Sequence, residues 1–556
     1  MRTRADAEPR DLHPIPVRWI VSSLLFFAGM TIVHTWPLAA HPATWSRHDN
    51  GDAMLNEWII AWIAHQLPHA PLHLFDANIF FPEPNTLAFS EHMFVQALMG
   101  APLLWNGLPT LLVYNLLIMA GLTLTGWTMS LVVRRWTGDG WAAIVAGLLM
   151  AFNAHSLTRL ANLQAMHAEF LPLAVYALDR LLVRPSGRAA AALGAAVALQ
   201  ALTSNYLLVM TAFAMTAAAL VRAPEWLGSG RSRALVPLAG AALLASVILV
   251  PFLLPYFHAS REQGLVRSLQ AVAVYQGSWR DYLTTGSRLH YGAWSARFWT
   301  EMRAALFPGF VGVALTGVTL VTGIAWRDRR LRLWLAVGVG GLLLSFGTKT
   351  PGYVLLYHLV PLLQGIRAPV RFGYLVLAAV AALGGCGLAR LNQTRGLTTG
   401  SRRALIGSIA AVLVTLEAAR LPIGWVPRYE VPEVYRMLAV ERSHGVVELP
   451  LPPPAAFGLN APYMLNSTIG WWPLVNGYSG FLPDSYLQRR IDLALFPADE
   501  AIAALRRIGV EHVVVHRAEF SNRWPDALHR LEVARALRPV AQAGDIAIYR
   551  IASDGR

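Results

Sequence analysis

Long apolar runs alternate with short polar connections along most of the chain. A bilayer core of ~30 Å is crossed by about 20 apolar residues in a helix, and runs near that length predict about eleven spans. These runs are 18–38, 109–133, 140–157, 164–183, 189–205, 206–222, 235–256, 306–326, 332–347, 370–390 and 404–420. The first run is longer than the apolar core of a typical cleavable signal peptide. The pattern therefore predicts a mainly α, polytopic helical membrane protein.

The short connections differ in charge from one side of the predicted membrane to the other. Arginines crowd the N-terminus and every second connection: Arg2, Arg4, Arg10, Arg18, Arg134, Arg135, Arg180, Arg184, Arg188, Arg222, Arg231, Arg233, Arg327, Arg329, Arg330, Arg332, Arg390, Arg395, Arg402 and Arg403. Basic residues accumulate in cytoplasmic loops. We therefore expect a cytoplasmic N-terminus and, with an odd number of spans, an outer C-terminus.

Composition narrows the class of protein. Of 556 residues, 55% are hydrophobic and only 14% are charged, whereas soluble domains carry about 25% charged residues. The net charge of +14 follows from the arginine-rich inner connections, so no nucleic-acid partner is expected. The single cysteine, Cys386, excludes an intrachain disulfide and a cysteine-based metal cluster. We expect a multi-pass protein of the inner (plasma) membrane.

The outer segments are long enough to fold separately from the spans. We expect residues 1–420 to form a multi-span membrane domain with a long first outer loop, 39–108, and residues 421–556 to form a small extracytoplasmic α/β domain. Short β-rich runs at 446–449, 513–515 and 546–549, with a helix around 498–508, favour that α/β fold. The proline-rich segment 449–458 is predicted to be a loop.

The first outer loop opens with three acids, Asp49, Asp52 and Glu57. Apolar residues from Leu55 to Ile63 recur at helical spacing and predict an amphipathic helix along the membrane interface. Asp52 would then cap the start of that helix. A capping role and a catalytic role for this carboxylate are compatible, and both stay open.

More polar side chains follow in the same loop: Asn78, Glu91 and His92. The next apolar stretch, 93–106, is too short to span and is predicted to be a re-entrant or interfacial helix. Irregular polar backbone at this depth is tolerated where it is buried in protein or lines a cavity. The pattern favours a cavity that faces outward.

A few polar groups lie at the predicted outer ends of spans. They are Arg159, Gln164, Tyr206, Arg367 and Arg371. The arginines among them are exceptions, because arginines between the spans are concentrated in the predicted inner connections. Arginine presents a planar fork of donors that suits a phosphate. Snorkelling towards the interface, or a salt bridge to Asp49, Glu57 or Glu91, would also explain the arginines.

Signals for metals and nucleotides are weak. His65, His69 and His73 are four residues apart, but Pro68 and Pro71 are expected to interrupt a helix that would align them. The chain lacks HExxH, the P-loop motif and a Rossmann glycine pattern after a strand. We expect no metal site and no cofactor.

The whole pattern resembles the GT-C superfamily of membrane glycosyltransferases, and more narrowly bacterial integral membrane proteins of YfhO-like type. The resemblance covers most of the chain. It is carried by five segments: GDAMLNEWIIAWIAH, LFDANIFFPEPNTLAFSEH, RLANLQ, GIRAPVRFGY and YMLNSTIGWWPLVNGYSGF.

The resemblance implies inverting transfer of a sugar from a polyprenyl-phosphate carrier to a glycan, lipid or protein acceptor at the outer face. By position, Asp52 would be the general base, with Asp49 as its rival. Arg159, Arg367 and Arg371 would bind the phosphate, with Tyr206 as a hydrogen-bond donor. Glu57, Asn78, Glu91, His92 and Gln164 would contact substrate. The first outer loop lacks an Asp-x-Asp pair, which implies no obligatory metal.

Two other functions use the same residues. A non-catalytic flippase or transporter of a lipid-linked sugar would bind the phosphate through the same arginines, and a cell-envelope assembly factor would carry an inactive site. Ion-coupled transporters place acids near the middle of the bilayer. Here the acids cluster in the outer loop, and this placement favours the enzyme.

Overall fold

The computed structural model describes residues 12–227, 232–299, 304–394 and 400–552. Five of the arginines used to predict the topology lie outside the described residues: Arg2, Arg4, Arg10, Arg231 and Arg395.

Helices make up most of the described chain. Up to residue 274 they are α1 (Val17–Thr35), α2 (Gly51–His69), α3 (Phe94–Trp105), α4 (Thr110–Thr137), α5 (Gly140–Ala151), α6 (Ala154–Thr158), α7 (Phe170–Val183), α8 (Gly187–Thr203), α9 (Asn205–Val221), α10 (Ala223–Trp226), α11 (Leu235–Gln263) and α12 (Leu269–Val274). After residue 287 they are α13 (Arg288–Tyr291), α14 (Phe310–Val321), α15 (Ile324–Arg327), α16 (Arg329–Ser345), α17 (Pro351–Leu359), α18 (Gly373–Leu391), α19 (Gly400–Ala418), α20 (Tyr435–Glu441), α21 (Ala461–Ser467), α22 (Asp484–Asp492), α23 (Asp499–Arg507), α24 (Arg517–Arg523) and α25 (Ala527–Val533).

Each predicted apolar run coincides with a helix. By length and composition alone, five helical segments in the described residues can cross a membrane: Val17–Thr35, Thr110–Thr137, Gly140–Thr158, Leu235–Gln263 and Pro369–Leu391. Other apolar runs form shorter helices, such as α14, which has 12 residues where 306–326 was predicted. The mainly α, multi-span fold is confirmed, and the number of crossings stays a prediction.

The chain divides into two compact units. The first unit contains Met1–His41, Leu116–Val250 and Val266–Gly424, and the second contains Pro42–Asn115, Pro251–Leu265 and Trp425–Arg556. The second unit therefore combines most of the first outer loop with the C-terminal tail.

In the first unit, α18 packs against α5, α14 and α16. Glycines allow these close approaches, as in other membrane helix pairs. A Cβ added at Gly385 would lie 2.7 Å from the Cβ of Ala146, and one at Gly387 would meet the carbonyl oxygen of Leu315. The small residues of α18 thus let backbones touch, which explains why this helix is almost wholly buried.

The second unit contains two sheets. Strands β1 (Trp45–Ser46) and β2 (Val426–Pro427) pair antiparallel. The other strands are β3 (Val446–Leu449), β4 (His512–His516), β5 (Leu537–Ala543) and β6 (Ile546–Ile551), in the order β3-β4-β6-β5. β3 and β4 are parallel, and the remaining pairs are antiparallel. A small α/β fold in the tail is confirmed, with α23 where a helix was predicted.

Backbone hydrogen bonds join the first outer loop to the tail inside this unit. The Leu474 N–H donates to the Asn78 carbonyl over 2.8 Å, Phe81 donates back to Leu474 over 2.9 Å, and Phe80 donates to Asn476 over 3.1 Å. Val446 of β3 forms an isolated parallel bridge with Leu474. Loop residues thus extend the hydrogen bonding of the tail.

Two local predictions for this unit are wrong. The segment after Asp52 forms α2 as expected, but residues 53–64 are buried on every side, so the helix is not amphipathic. The proline-rich segment is not all loop, because a 3₁₀ helix runs from Pro454 to Asn460. Strand β5 was missed, since Pro539 interrupts its pattern and causes a register shift in its pairing.

Candidate functional site

The start of α2 holds the first candidate residues. Asn50 is the N-cap: its backbone is extended and its side-chain oxygen accepts a hydrogen bond from the Asp52 N–H over 2.9 Å. The prediction that Asp52 caps this helix is therefore wrong. Asp52 lies in the first turn, where the partial positive charge of the helix N-terminus attracts a negatively charged side chain.

The carboxylate of Asp52 contacts a side chain from the tail. The hydroxyl of Tyr478 donates a hydrogen bond to Asp52 Oδ1 over 2.7 Å. Asp52 is only partly exposed, and a hydrogen bond to an ionised group is stronger than one between neutral groups. Asp52 is thus a carboxylate held in one orientation.

The rival acid is placed differently. Both carboxylate oxygens of Asp49 accept hydrogen bonds from Arg47, over 2.9 and 3.0 Å, and 41% of the Asp49 side chain is exposed. An exposed ion pair of this kind contributes little to stability. It nevertheless engages both oxygens of Asp49.

Glu57 forms a buried polar group with His48. His48 Nε2 lies 2.8 Å from Glu57 Oε2, and the hydroxyl of Thr110 donates to Glu57 Oε1. The backbone N–H of Tyr429 donates to His48 Nδ1 over 2.8 Å, so Nδ1 carries no proton and Nε2 is the donor to Glu57. These contacts give Glu57 a structural role: it fixes the ring of His48, next to Asp49.

Asn78 binds the tail. Its amide donates to the Ser467 hydroxyl over 3.1 Å and to the Trp472 carbonyl over 2.9 Å, while its buried Oδ1 has no hydrogen-bond partner among the described residues. Two of its polar contacts are therefore used to join loop and tail, and its predicted contact with substrate stays a prediction.

His92 and Glu91 are both buried in the second unit. The Phe94 N–H donates to His92 Nδ1 over 3.2 Å, and the ring packs near Phe75, Phe252 and Tyr256. Burial lowers the pKa of His92 from 6.5 to about 4, because the cation would lose its hydration. A neutral His92 helps to hold the start of α3.

Three other candidates meet in the first unit. The guanidinium of Arg371 lies over the Tyr206 ring, 4.2 Å from its centroid, and the Tyr206 hydroxyl accepts a hydrogen bond from the Ala368 N–H over 3.3 Å. Arg367 lies over the Tyr275 ring at 4.8 Å. Stacking of this kind holds a guanidinium in place while its edge remains available to an anion.

A further arginine joins this group. Burial, and after it the nearby positive charge of Arg367, lower the pKa of Arg267 from 12.5 to about 10. Within the residues that the structure describes, neither Arg367 nor Arg371 pairs with a carboxylate, and the buried Nε of Arg371 has no hydrogen-bond partner. Arg267, Arg367, Arg371 and Tyr206 are called the arginine cluster below. The positive charges of Arg367 and Arg371 suit an anion.

Arg159 and Gln164 lie in the same unit. Arg159 ends α6, and Gln164 is in a short 3₁₀ helix, Leu163–Ala165. Both Arg159 and Arg371 lie close enough to interact electrostatically with His155. The structure therefore associates Arg159 with the arginine cluster through His155.

The histidine pattern of the first outer loop also differs from its prediction. α2 continues through Pro68, and the rings of His65 and His69 stack with centroids 4.6 Å apart. Proline is tolerated here because it lies one residue from the end of the helix. Among the described residues, no group of three or more His, Cys, Asp or Glu is arranged to hold a metal ion.

The sequence did not predict the contact of Tyr478 with Asp52, that of His48 with Glu57, or the place of Arg267 beside Arg367. Tyr478 is 426 positions from Asp52, and nothing local in a sequence indicates such a contact. His48 could have been found, since it precedes Asp49 in an acidic stretch. Arg267 lies in a predicted outer loop, where basic residues are uncommon. Its positive charge in that loop was therefore the signal that could have identified it.

Comparisons with known proteins give structural likenesses. No family model matches the chain, and no curated protein matches it. It is similar to the arabinofuranosyltransferase AftD from Mycobacteria, with a TM-score of 0.60, 16% identity, and coverage of 98% of this chain and 40% of AftD. The chain thus spans about two fifths of the length of that relative.

Two weaker likenesses accompany it. An oligosaccharyltransferase from Archaeoglobus fulgidus has a TM-score of 0.48 and 14% identity, over 89% of this chain and 69% of the other. ArnT from Cupriavidus metallidurans has a TM-score of 0.45 and 14% identity, over 96% and 97%. The chain is a multi-pass membrane protein with the fold of AftD, in agreement with the fold that the GT-C resemblance implied; the narrower YfhO-like resemblance stays a prediction.

Proposed function

We propose that this chain is an inverting glycosyltransferase that moves a sugar, of the hexosyl type, from a polyprenyl-phosphate carrier to an acceptor at the outer face of the membrane. The proposal rests on one observation. The carboxylate of Asp52 lies at the start of α2 and accepts a hydrogen bond from the Tyr478 hydroxyl, in a chain with the fold of the arabinofuranosyltransferase AftD.

Asp52 is proposed as the general base. The acceptor hydroxyl forms a bond to the anomeric carbon as its proton passes to the Asp52 carboxylate, and the bond between that carbon and the phosphate oxygen breaks. A positioned base typically contributes ~10²–10⁴-fold to the rate. Inversion follows because the hydroxyl attacks from the side opposite the leaving phosphate.

The arginine cluster is proposed to bind the carrier phosphate. The leaving group takes the electron pair of the broken bond, so negative charge grows on polyprenyl phosphate. Fixed guanidiniums stabilise such charge without reorganisation during the reaction. Arg371 and Arg367, each stacked on a tyrosine, are the principal residues proposed for this role, with Arg159 and Arg267 adding positive charge.

The experiment measures release of polyprenyl phosphate by purified full-length protein supplied with a panel of polyprenyl-phosphate sugars. We expect turnover by the wild type, a loss of ~10²–10⁴-fold in Asp52→Asn, and most of the turnover retained in Asp49→Asn. Thermal unfolding of each variant checks that the fold is intact.

Each other outcome has a definite meaning. If Asp49→Asn loses turnover and Asp52→Asn retains it, the general base is Asp49 and not Asp52. Wild-type protein that moves the donor across liposome membranes without releasing polyprenyl phosphate would refute the enzyme and favour the flippase.

A further inference from the structure

The tail contributes a side chain to the acid at the start of α2. Tyr478 follows Asn476 and Gly477, and its hydroxyl donates to Asp52 Oδ1 over 2.7 Å. Both residues belong to the second unit. The contact therefore lies within one compact body, although the two residues are 426 positions apart in the chain.

Close packing fixes the ring of Tyr478. A Cβ added at Gly51 would lie 3.2 Å from its Cε1 atom, which is closer than most Cβ contacts, so a side chain at position 51 would crowd the ring. The ring also packs against Phe457, with centroids 5.0 Å apart, and the Tyr478 N–H donates to the sulfur of Met464 over 3.1 Å.

The backbone before Tyr478 is anchored to the tail sheet. Asn476 Oδ1 accepts from the Glu448 N–H over 2.8 Å, and its amide donates to the Glu448 carbonyl and to Asn460 Oδ1, each over 3.0 Å. Glu448 belongs to β3. The buried sheet thus determines where the Tyr478 hydroxyl lies.

We propose that Tyr478 is the positioning residue of Asp52, so that the tail is a working part of the active site. The proposal rests on the proposed function, in which Asp52 is the base. The hydrogen bond from the Tyr478 hydroxyl limits rotation of the Asp52 carboxylate and keeps it aligned for proton transfer.

The test compares kcat and KM of wild type, Tyr478→Phe and Tyr549→Phe. Phenylalanine keeps the packed ring and removes only the hydroxyl. We expect kcat to fall about tenfold or more in Tyr478→Phe, because the carboxylate is no longer aligned for proton transfer. KM should change by less than about twofold, because the lost hydrogen bond orients the base and does not hold the substrate.

Tyr549 is the matched control. It lies in β6, and its hydroxyl interacts with Arg517. Tyr549→Phe is expected to keep the kcat of the wild type. If Tyr478→Phe also keeps the kcat of the wild type, whatever its change in Tm, Tyr478 has only a structural role and the proposal is overturned.

A second measurement does not depend on turnover. In a double-mutant cycle of Tm with Asp52→Asn and Tyr478→Phe, we expect the losses to be non-additive, because both changes weaken the same bond. Additive losses of Tm would show that Asp52 and Tyr478 are not joined by this hydrogen bond. A wild type that releases no polyprenyl phosphate would refute the proposed function, and this result is distinct from a Tyr478→Phe enzyme that keeps the kcat of an active wild type.

Discussion

At the scale of single residues, the second unit contains buried titratable groups whose partners determine their charge. Glu448, fully buried in β3, accepts hydrogen bonds on one oxygen from Tyr435 and from His516, each over 2.7 Å. Burial opposes a charge on His516, but the hydrogen bond and the negative charge of Glu448 outweigh it, so the pKa of His516 is raised above 6.5.

This pair predicts a pH-dependent stability. A histidine with a raised pKa stabilises the fold fully below its unfolded pKa, and the contribution is lost as pH rises through the folded pKa. We expect the Tm of the wild type to fall more between about pH 6 and about pH 8 than the Tm of His516→Gln.

The exposed His529 provides the control: His529→Gln should reproduce the wild-type profile. Equal pH dependence in wild type and His516→Gln would show that the pair contributes no pH-dependent stability.

At the scale of helices and strands, the sequence predicts those elements that are determined by the local pattern of apolar and polar residues. Helices coincide with all eleven predicted apolar runs because a helix satisfies the backbone groups of an apolar segment internally. The burial of α2 on every side was not predictable, since segments distant in sequence, including α21, pack against it. The contact between Asp52 and Tyr478 was missed for the same reason.

The packing of α18 on α14 gives a prediction for this scale. Gly387→Ala would place a Cβ against the Leu315 carbonyl, and backbone cannot give way as a flexible side chain can. We expect a loss of about 1–3 kcal/mol in the free energy of unfolding, measured by thermal or denaturant unfolding in detergent.

Gly317, on α14, is the matched control because nothing lies within 4 Å of a Cβ built there. Gly317→Ala should change stability by no more than about 1 kcal/mol, in the favourable direction. Comparable destabilisation by both changes would argue against a close contact at Gly387.

At the scale of the whole molecule, the arginine pattern predicts which side of the membrane each segment faces. Arg184 follows α7 in a predicted inner connection, and Asn522 lies in the tail, predicted to be outside. Both are exposed. The only cysteine, Cys386, is buried in α18, so replacing it by alanine gives a cysteine-free background.

In that background, we expect a membrane-impermeant maleimide to label Asn522→Cys in intact spheroplasts. Arg184→Cys should be labelled only after permeabilisation, because positively charged connections stay in the cytoplasm. The reverse pattern would invert the proposed topology and with it the outer-face reaction.

The hydrogen bonds between residues 78–81 and 474–476 have a consequence for biosynthesis. A ribosome delivers the first of these segments nearly 400 residues before the second, at roughly 5–20 residues per second. For that interval Asp52 lacks the phenol that orients it. On the proposed function, a nascent or prematurely terminated chain would therefore lack an oriented base and would leave lipid-linked sugars uncleaved until synthesis is complete.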